Sequence, residues 1–221
     1  MHEKIQEQDL SNERRSYQKY RLDESGVTDN PMDLFQAWYN AADASDKIEE
    51  ANAMTLSMIR PGQGPRARVV LLKRFTWEGF YFYTNYQSEK GRDIQADPSV
   101  CLSFFWDAFE RQVIVEGCAE KAPASASDGY FATRPRGSRL GAWASPQSEP
   151  VPSREYLDRR LEEFDAKFQG QDVPRPAHCG LYLVRPQIIE FWQGRPNRMH
   201  DRLRYTLCQE DFSWKMERLA P

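Results

Sequence analysis

The chain has 221 residues, and its 30 Lys+Arg against 33 Asp+Glu give a formal net charge of −3. A chain of this length forms one large domain or two small ones, and it buries enough surface to fold without disulfides or metal ions. The balanced charge argues against a nucleic-acid coat protein, and the short apolar runs and polar N-terminus argue against a membrane span or a signal peptide. We therefore expect a cytoplasmic protein that binds neither nucleic acid nor a membrane.

The first elements in chain order are a charged segment and a helix. Residues 1–30 hold few apolar anchors, so we expect a mobile N-terminal segment or lid ahead of a single domain over 31–221. Pro31 suits the first turn of a helix. The apolar residues that follow at helical spacing share one face: Leu34, Phe35, Trp38 and Ala42.

Residues 53–122 change to short strand-like runs joined by tight turns, with one short helix that ends at Pro98. This spacing favours an antiparallel barrel or sandwich over a parallel βαβ sheet. A helical insertion follows over about 124–169, with Ser153 as the N-cap of its last helix. Pro186 interrupts the next strand, which predicts an edge or a bulge there. The fold class we expect is mainly β with flanking helices (α+β).

The four cysteines and three histidines are too scattered for a metal site. No two cysteines form a CxxC pair, and Cys101 and Cys118 lie in strand-like runs, so free thiols are the favoured interpretation. The histidines cluster neither with the cysteines nor with each other, so we expect no bound metal.

Two groups of residues have the chemistry of a phosphate site. In the run RARVVLLK, Lys73 ends an apolar stretch; its ammonium either binds an anion or reaches water past the strand end, and spacing alone favours the second. Tyr130 and Arg134 lie one helical turn apart, and Ser138 follows a Pro-Arg-Gly turn, so the three suit a phosphate monoester. A helix end with solvated arginines is the alternative.

Two further groups suit a flat, anionic ligand. After a strand that ends in Trp192, the residues Arg198, His200 and Arg202 alternate along a loop, which suits a planar anionic ring; a basic surface loop is the alternative. A strand-to-helix corner offers free N–H groups and a helix dipole to a second phosphate, with ordinary turn chemistry as the alternative. The polar residues of this corner and its neighbours are Tyr83, Thr84, Lys90, Gln112, Gln147 and Ser148.

The sequence resembles the pyridoxine/pyridoxamine 5′-phosphate oxidase family in eight motifs that occur in the family's order: RVVLLK, FYTN, ERQVIVEG, YFATRPRGS, GAWASPQS, IEFWQG, RMHDR and WKMERLAP. The resemblance runs from about Pro31 to Pro221. It implies an FMN-binding split β-barrel and a homodimer with FMN at the subunit interface. It also implies oxidation of pyridoxine 5′-phosphate or pyridoxamine 5′-phosphate to pyridoxal 5′-phosphate, with O2 as acceptor and H2O2 as product.

Carried over position by position, the resemblance assigns roles to all four groups. The FMN contacts it implies are Arg68, Val69, Val70, Leu71, Leu72, Lys73, Tyr83, Thr84, Lys90, Gln112, Gln147, Ser148, Trp192 and Arg202. The substrate contacts it implies are Lys73, Tyr130, Arg134, Ser138, Arg198, Met199 and His200, with Arg14 and Tyr17 in a lid. Arg198 and His200 are the expected catalytic pair, which orients the pyridine ring and assists removal of the substrate proton.

One position departs from the family pattern. Many relatives read Ser-Arg-Lys after the FYTN strand, whereas this chain reads Ser88-Glu89-Lys90. An acid beside the expected FMN phosphate weakens binding unless its side chain turns outward, so Arg68 and Lys90 carry more of the phosphate charge.

Three other functions fit parts of the pattern. A sister FMN oxidase would act on another reduced ring, such as a dihydrophenazine, but a ring without phosphate leaves Lys73 and the Tyr130 group without a partner. A non-enzymatic flavin-binding barrel would share the cofactor site without turnover. An RNA-binding barrel is disfavoured by the net charge and by the spread of the basic residues.

Overall fold

The structure, a computed structural model, describes residues 9–13 and 15–221. Its strands are β1 (Ala53–Arg60), β2 (Gly64–Thr76), β3 (Gly79–Asn85), β4 (Ser99–Trp106), β5 (Arg111–Lys121), β6 (Cys179–Gln193), β7 (Asp201–Leu207) and β8 (Trp214–Arg218). Its α-helices are α1 (Pro31–Asp43), α2 (Glu89–Ala96), α3 (Ala124–Thr133), α4 (Arg136–Ala144) and α5 (Arg154–Lys167). Strands therefore dominate, and three helices follow one another between β5 and β6.

One antiparallel sheet closes into a barrel because its edge strand β3 also pairs with β6. The sheet order is β3-β2-β1-β4-β5-β6-β7-β8, and β3 also pairs with β6. The first half of β6 bonds to β3 and its second half to β7, while β5 follows nearly its whole length. Strands β1 to β6 form the barrel, and β7 and β8 extend the sheet. The expected mainly β fold with flanking helices, a split antiparallel barrel, is confirmed.

The irregularity predicted at Pro186 is a bulge inside the sheet and not an edge. The register between β5 and β6 shifts between Glu116 and Gly117, opposite Pro186. A Cβ on Gly117 would lie 2.1 Å from the carbonyl oxygen of Arg185, so only glycine permits this approach. The bulge bends β6 between its pairing with β3 and its pairing with β7.

Alternate residues of each strand point into the barrel and away from it. The inward set forms the core, in which Leu56 and Leu102 have no exposed surface. Helix α1 packs its apolar face into this core, and the Phe35 ring meets those of Phe80 and Phe104 at centroid distances of 4.8 and 5.1 Å. The face of α1 predicted from its spacing is therefore its buried face.

The outward set exposes large apolar side chains. Val69 is 71% exposed, Phe105 56% and Ile59 47%. The strand registers put all three on the face of the sheet opposite the core, called here the outer face. The apolar run that ends at Lys73 is mostly not buried within the chain, since only Leu72 in it is buried.

Other expectations concern features beyond the barrel. The Ser153 side chain caps α5 by accepting from the main-chain N–H of Tyr156 at 3.3 Å, as predicted. Among the helices of the described residues, none combines the length and apolar composition that crossing a membrane requires. Nor do these residues bring three metal-ligating side chains of His, Cys, Asp or Glu together. The division of the chain at residue 30 stays a prediction.

Candidate functional site

A cavity of about 680 Å³ lies between β2, β3 and the corner from α3 to α4. This volume is in the usual range for small-molecule sites. The predicted site residues that line it are Val69, Val70, Leu71, Lys73, Tyr83, Thr84, Lys90, Tyr130, Arg134, Ser138 and Gln147. The closed barrel thus brings residues from separate motifs around one volume.

The corner between α3 and α4 sets the positions of the phosphate-type donors. Tyr130 lies in the last turn of α3, and Arg134 ends that helix in an extended conformation (φ −72°, ψ 143°). Pro135 comes next, and a residue before proline is driven out of the helical region. Helix α4 then begins, with Ser138 in its first turn. The Pro-induced break therefore directs a phenol, a guanidinium and a hydroxyl into the same cavity.

Sequence reasoning missed several lining residues. Gly141, Ala142 and Ser145 follow Ser138 at the spacing of one helix face, and this repeat of small residues is a signal that could have identified them. Cys179 lines the cavity because β6 closes onto β3, which no local pattern predicts. Burial raises the pKa of its thiol to about 11, so the thiol is protonated at neutral pH.

The charge of the cavity lining is entirely positive. Lys73, Lys90 and Arg134 line it, and no carboxylate does so among the described residues. Burial lowers the pKa of Lys73, with Glu50 opposing the shift and Arg134 adding to it. Burial and neighbouring arginines likewise lower the pKa of Lys90. The buried hydroxyl of Tyr83 has no hydrogen-bond partner in the described part of the chain. This lining therefore suits a ligand that is both anionic and rich in acceptors.

Glu89, the residue at odds with the family pattern, is neutralised by arginines. Its carboxylate is hydrogen-bonded to Arg66 and lies 3.6 Å from Arg60 and 4.0 Å from Arg68. The hydrogen bond from Arg66 is the main cause that lowers the pKa of Glu89. Lys90 lines the cavity, whereas Glu89 does not. The acid is therefore bound to arginines outside the cavity lining.

A second cluster lies on the outer face of β5, β6 and β7. Gln112, Trp192 and Arg202 are directly paired across these three strands. Glu190 accepts two hydrogen bonds from the Arg202 guanidinium, at 2.7 and 3.1 Å. None of these residues lines the cavity. A single chain therefore presents the predicted site as two separate groups.

The loop from β6 to β7 carries two consecutive residues in a strained backbone conformation. Asn197 and Arg198 have φ angles of 57° and 61°. This left-handed region costs a non-glycine residue on the order of 1–3 kcal/mol. Met199 follows with 66% of its surface exposed. Such strain is typical of functional loops, and the roles of Arg198 and Met199 stay predictions.

The imidazole of His200 has a defined protonation state. Its ring lies 4.7 Å from that of Trp192 and 5.9 Å from that of Tyr17. The main-chain N–H of Arg195 donates to Nδ1 at 3.1 Å, so the neutral ring carries its proton on Nε2. Burial and the charge of Arg198 lower the pKa of His200. At neutral pH His200 therefore presents a neutral hydrogen-bond donor.

Several other predicted site residues do not line the cavity or lie outside the described residues. Arg14 lies outside the described residues. The Arg68 side chain is 53% exposed, that of Leu72 is buried in the core, and Ser148 is exposed in the loop after α4. The roles of these and of the other predicted site residues stay predictions.

Comparison with known proteins gives two family matches. The pyridoxamine 5′-phosphate oxidase model matches residues 42–168, and the pyridoxine 5′-phosphate oxidase C-terminal dimerisation region matches residues 180–221. The pyridoxine/pyridoxamine 5′-phosphate oxidase of Flavobacterium johnsoniae is 53% identical over 212 residues, which cover 96% of this chain and 99% of that protein. The protein of the same name from Salinibacter ruber is 48% identical over 213 residues, which cover 96% of this chain and 99% of that protein.

Solved structures share the fold. PhzG from Burkholderia lata, in complex with tetrahydrophenazine-1-carboxylic acid, has a TM-score of 0.82 at 26% identity and covers 89% of this chain and 95% of that chain. A pyridoxamine 5′-phosphate oxidase-related, FMN binding protein from Nostoc punctiforme has a TM-score of 0.65 at 15% identity. The match covers 89% of this chain and 100% of that chain. The second likeness supports the fold alone.

We expect His200 to titrate below its ordinary pKa of 6.5 and to carry its proton on Nε2 when neutral. Because the unfolded chain then binds the proton more readily, this group's stabilising contribution is complete above pH 6.5 and is lost as the pH falls through the folded pKa. NMR titration of the histidine rings, with His200→Gln to assign the signal, measures both properties. A folded pKa above 6.5, or a neutral ring protonated on Nδ1, would contradict the structure.

Proposed function

The chain belongs to the pyridoxine/pyridoxamine 5′-phosphate oxidase family, and we propose that it oxidises pyridoxine 5′-phosphate or pyridoxamine 5′-phosphate to pyridoxal 5′-phosphate. The cofactor in this proposal is FMN, and the electron acceptor is O2. The observation that carries the proposal is the convergence of Lys73, Tyr130, Arg134 and Ser138 on one cavity without a carboxylate in its described lining. Donors of this kind bind a phosphate monoester by charge-assisted hydrogen bonds.

The same cavity fits the phosphate and polar edge of FMN. Lys90 lies in the first turn of α2, and its ammonium is 3.5 Å from the side-chain oxygen of Gln147. Thr84 and the unpartnered hydroxyl of Tyr83 add hydrogen-bonding groups on the facing strand. FMN bound by these residues would supply the redox chemistry, namely acceptance of a hydride from the substrate and transfer of the electrons to O2 to give H2O2.

The residues of the chain supply binding and orientation. The substrate phosphate is remote from the carbon that is oxidised, so its binding by Arg134 and Lys73 can fix that carbon for hydride transfer. Arg198 and His200 orient the pyridine ring, His200 by donating from Nε2. Acceptance of a substrate proton by His200 at Nδ1 would first require the loss of the Arg195 hydrogen bond. Orientation is therefore the role that the geometry favours for His200.

We also propose that two copies of the chain complete each site. The cavity and the second cluster lie apart on the outer face, and exposed Val69 and Phe105 lie on the same face. The second cluster falls in the matched dimerisation region, apart from Gln112. Pairing of two outer faces would bury this apolar surface and bring Trp192 and His200 of one protomer towards the cavity of its partner.

Oxidation of a reduced tricyclic ring is the second candidate function, favoured by the likeness to PhzG. The charge of the cavity weighs against it. A ring without phosphate would leave the cavity-lining cations Lys73 and Arg134 without an anionic partner, and the charge-assisted hydrogen bonds to phosphate would be lost. A comparison of kcat/KM for pyridoxine 5′-phosphate, pyridoxine and a dihydrophenazine carboxylic acid discriminates between the two candidates.

The purified protein should absorb as a flavoprotein, and anaerobic addition of pyridoxine 5′-phosphate should bleach the flavin band. Bleaching follows because hydride transfer reduces the flavin when O2 is absent. Pyridoxal 5′-phosphate should form together with the bleaching, and readmitted air should restore the band with formation of H2O2. A flavin band that the substrate leaves unchanged would reject the proposed reaction and favour a non-enzymatic flavin-binding barrel.

Replacement Arg134→Gln should raise the KM for pyridoxine 5′-phosphate by roughly ten- to a hundredfold, since a hydrogen bond to a charged group is worth about 1.5–3 kcal/mol. FMN content should stay near that of the wild type. Arg136→Gln is the matched control, because the Arg136 guanidinium bonds to α5 and the loop after it, including Asp165. An unchanged KM in Arg134→Gln would remove Arg134 from the phosphate site.

Mixing two impaired variants should restore activity if each site uses both protomers. Arg134→Gln damages the cavity, and His200→Ala damages the loop. Random exchange of subunits should return about a quarter of wild-type sites, because half of the dimers are mixed and each holds one intact site. Steady-state rates at limiting substrate measure this recovery. Activity no higher than the average of the two variants would mean that one chain supplies the complete site.

A further inference from the structure

Residues 15–24 run across the end of the barrel that carries Trp192 and His200. The Tyr17 ring meets that of Trp192 edge-on at 5.6 Å. Further along, the main-chain N–H of Leu22 donates to the Asp201 carboxylate at 3.1 Å. This segment is therefore bonded to the strands that flank the loop of Arg198 and His200.

One buried carboxylate makes the central bonds to this segment. Glu110 lies in the turn between β4 and β5 and is 2% exposed. Its Oε2 accepts from the consecutive main-chain N–H groups of Gln18 and Lys19, at 2.9 and 3.0 Å. Among the described residues no cation forms an ion pair with Glu110. Because a buried carboxylate needs donors, these two N–H groups satisfy a group that would otherwise be costly to bury.

The main chain of Glu110 binds the site loop on its other side. Its carbonyl oxygen accepts from the N–H of Gly194 at 2.7 Å and from Nε2 of Gln193 at 3.1 Å. Its backbone is left-handed (φ 56°, ψ 40°), a conformation that this tight turn imposes. A Cβ on Gly194 would lie 2.7 Å from Cβ of Tyr17, so the segment and the loop are in direct contact. One residue thus bonds to the loop through its main chain and to the segment through its side chain.

We propose that Glu110 is a positioning residue that fixes Tyr17 against Trp192 and His200, and thereby sets the closed arrangement of the site. The kinetic part of this inference rests on the proposed function, because it requires substrate to bind beside His200. The structural part does not, because it concerns only how the segment is held. Loss of the carboxylate should release residues 17–19 while the loop keeps the main-chain bonds of residue 110.

The test compares Glu110→Ala, Glu110→Gln and Asp107→Asn in the full-length holoenzyme. Trypsin cleavage after Lys19 and Arg21 should be at least about tenfold faster in Glu110→Ala, since two hydrogen bonds to a charged acceptor are lost and the low-end value of one already corresponds to about tenfold. The same variant should lose about tenfold in kcat/KM for pyridoxine 5′-phosphate. Glu110→Gln should have a cleavage rate and a kcat/KM close to those of the wild type, because its amide oxygen still accepts the hydrogen bonds from Gln18 and Lys19. Asp107 is an exposed carboxylate in the same turn, so Asp107→Asn should behave as wild type.

A second pair of variants alters the segment and leaves the barrel intact. Gln18→Pro removes one of the two N–H donors, whereas Gln18→Ala keeps it, so only the proline variant should show faster cleavage. Wild-type cleavage rates in both Glu110→Ala and Gln18→Pro would overturn the proposal, as would equal effects of Glu110→Ala and Asp107→Asn. If the wild type did not oxidise the substrate, the proposed function would fail, and the cleavage rates would still decide the role of Glu110.

Discussion

The pairing of β6 with three strands is the constraint on which the molecule depends. Its first half bonds to β3 and its second half to β7, so β6 both closes the barrel and begins the extension that carries the site loop. Closure brings Cys179, at the start of β6, beside the cavity. The end of β6 carries Trp192 into the second cluster. One strand therefore connects both halves of the predicted site, and the bulge at Pro186 lets it serve both partners.

Charge in the cavity follows from this architecture. Lys73 and Arg134 come from a strand and a helix corner far apart in sequence, yet each lies close enough for the Arg134 charge to affect the pKa of Lys73. No carboxylate accompanies these two cations in the described cavity lining, so a bound anion is their natural counter-charge. Glu89 does not compete for that role because the barrel arginines already bind it. The lining thus favours phosphate over a neutral ring.

Main-chain groups decide the state of two side chains outside the cavity. The Arg195 N–H fixes the neutral tautomer of His200, and the N–H groups of Gln18 and Lys19 satisfy the carboxylate of Glu110. These hydrogen bonds come from main-chain N–H groups and not from a charged side chain, so salt should weaken them little. The strained backbone of Arg198 lies in the same loop as His200. The N-terminal segment and the site loop are therefore best regarded as one bonded unit.

The sequence by itself determined the type and order of most elements, because turn residues and alternating apolar positions are local signals. Strand β7 is the exception, since the sequence pattern places its first residues, with Arg202, in a loop. It also indicated the helix cap at Ser153 and the donor group around Arg134, since the residues of each group lie within a few positions of one another in the sequence. Only the tertiary structure decided that Val69 faces outward, because a period of two defines two faces without telling which one is covered. The bonds of Glu89 could not be predicted, since its arginine partners come from β1 and β2. The tautomer of His200 could not be predicted either, since it depends on how the loop brings the N–H of Arg195 to the ring. Separation of the predicted site into two groups likewise follows from barrel closure, which no local pattern encodes.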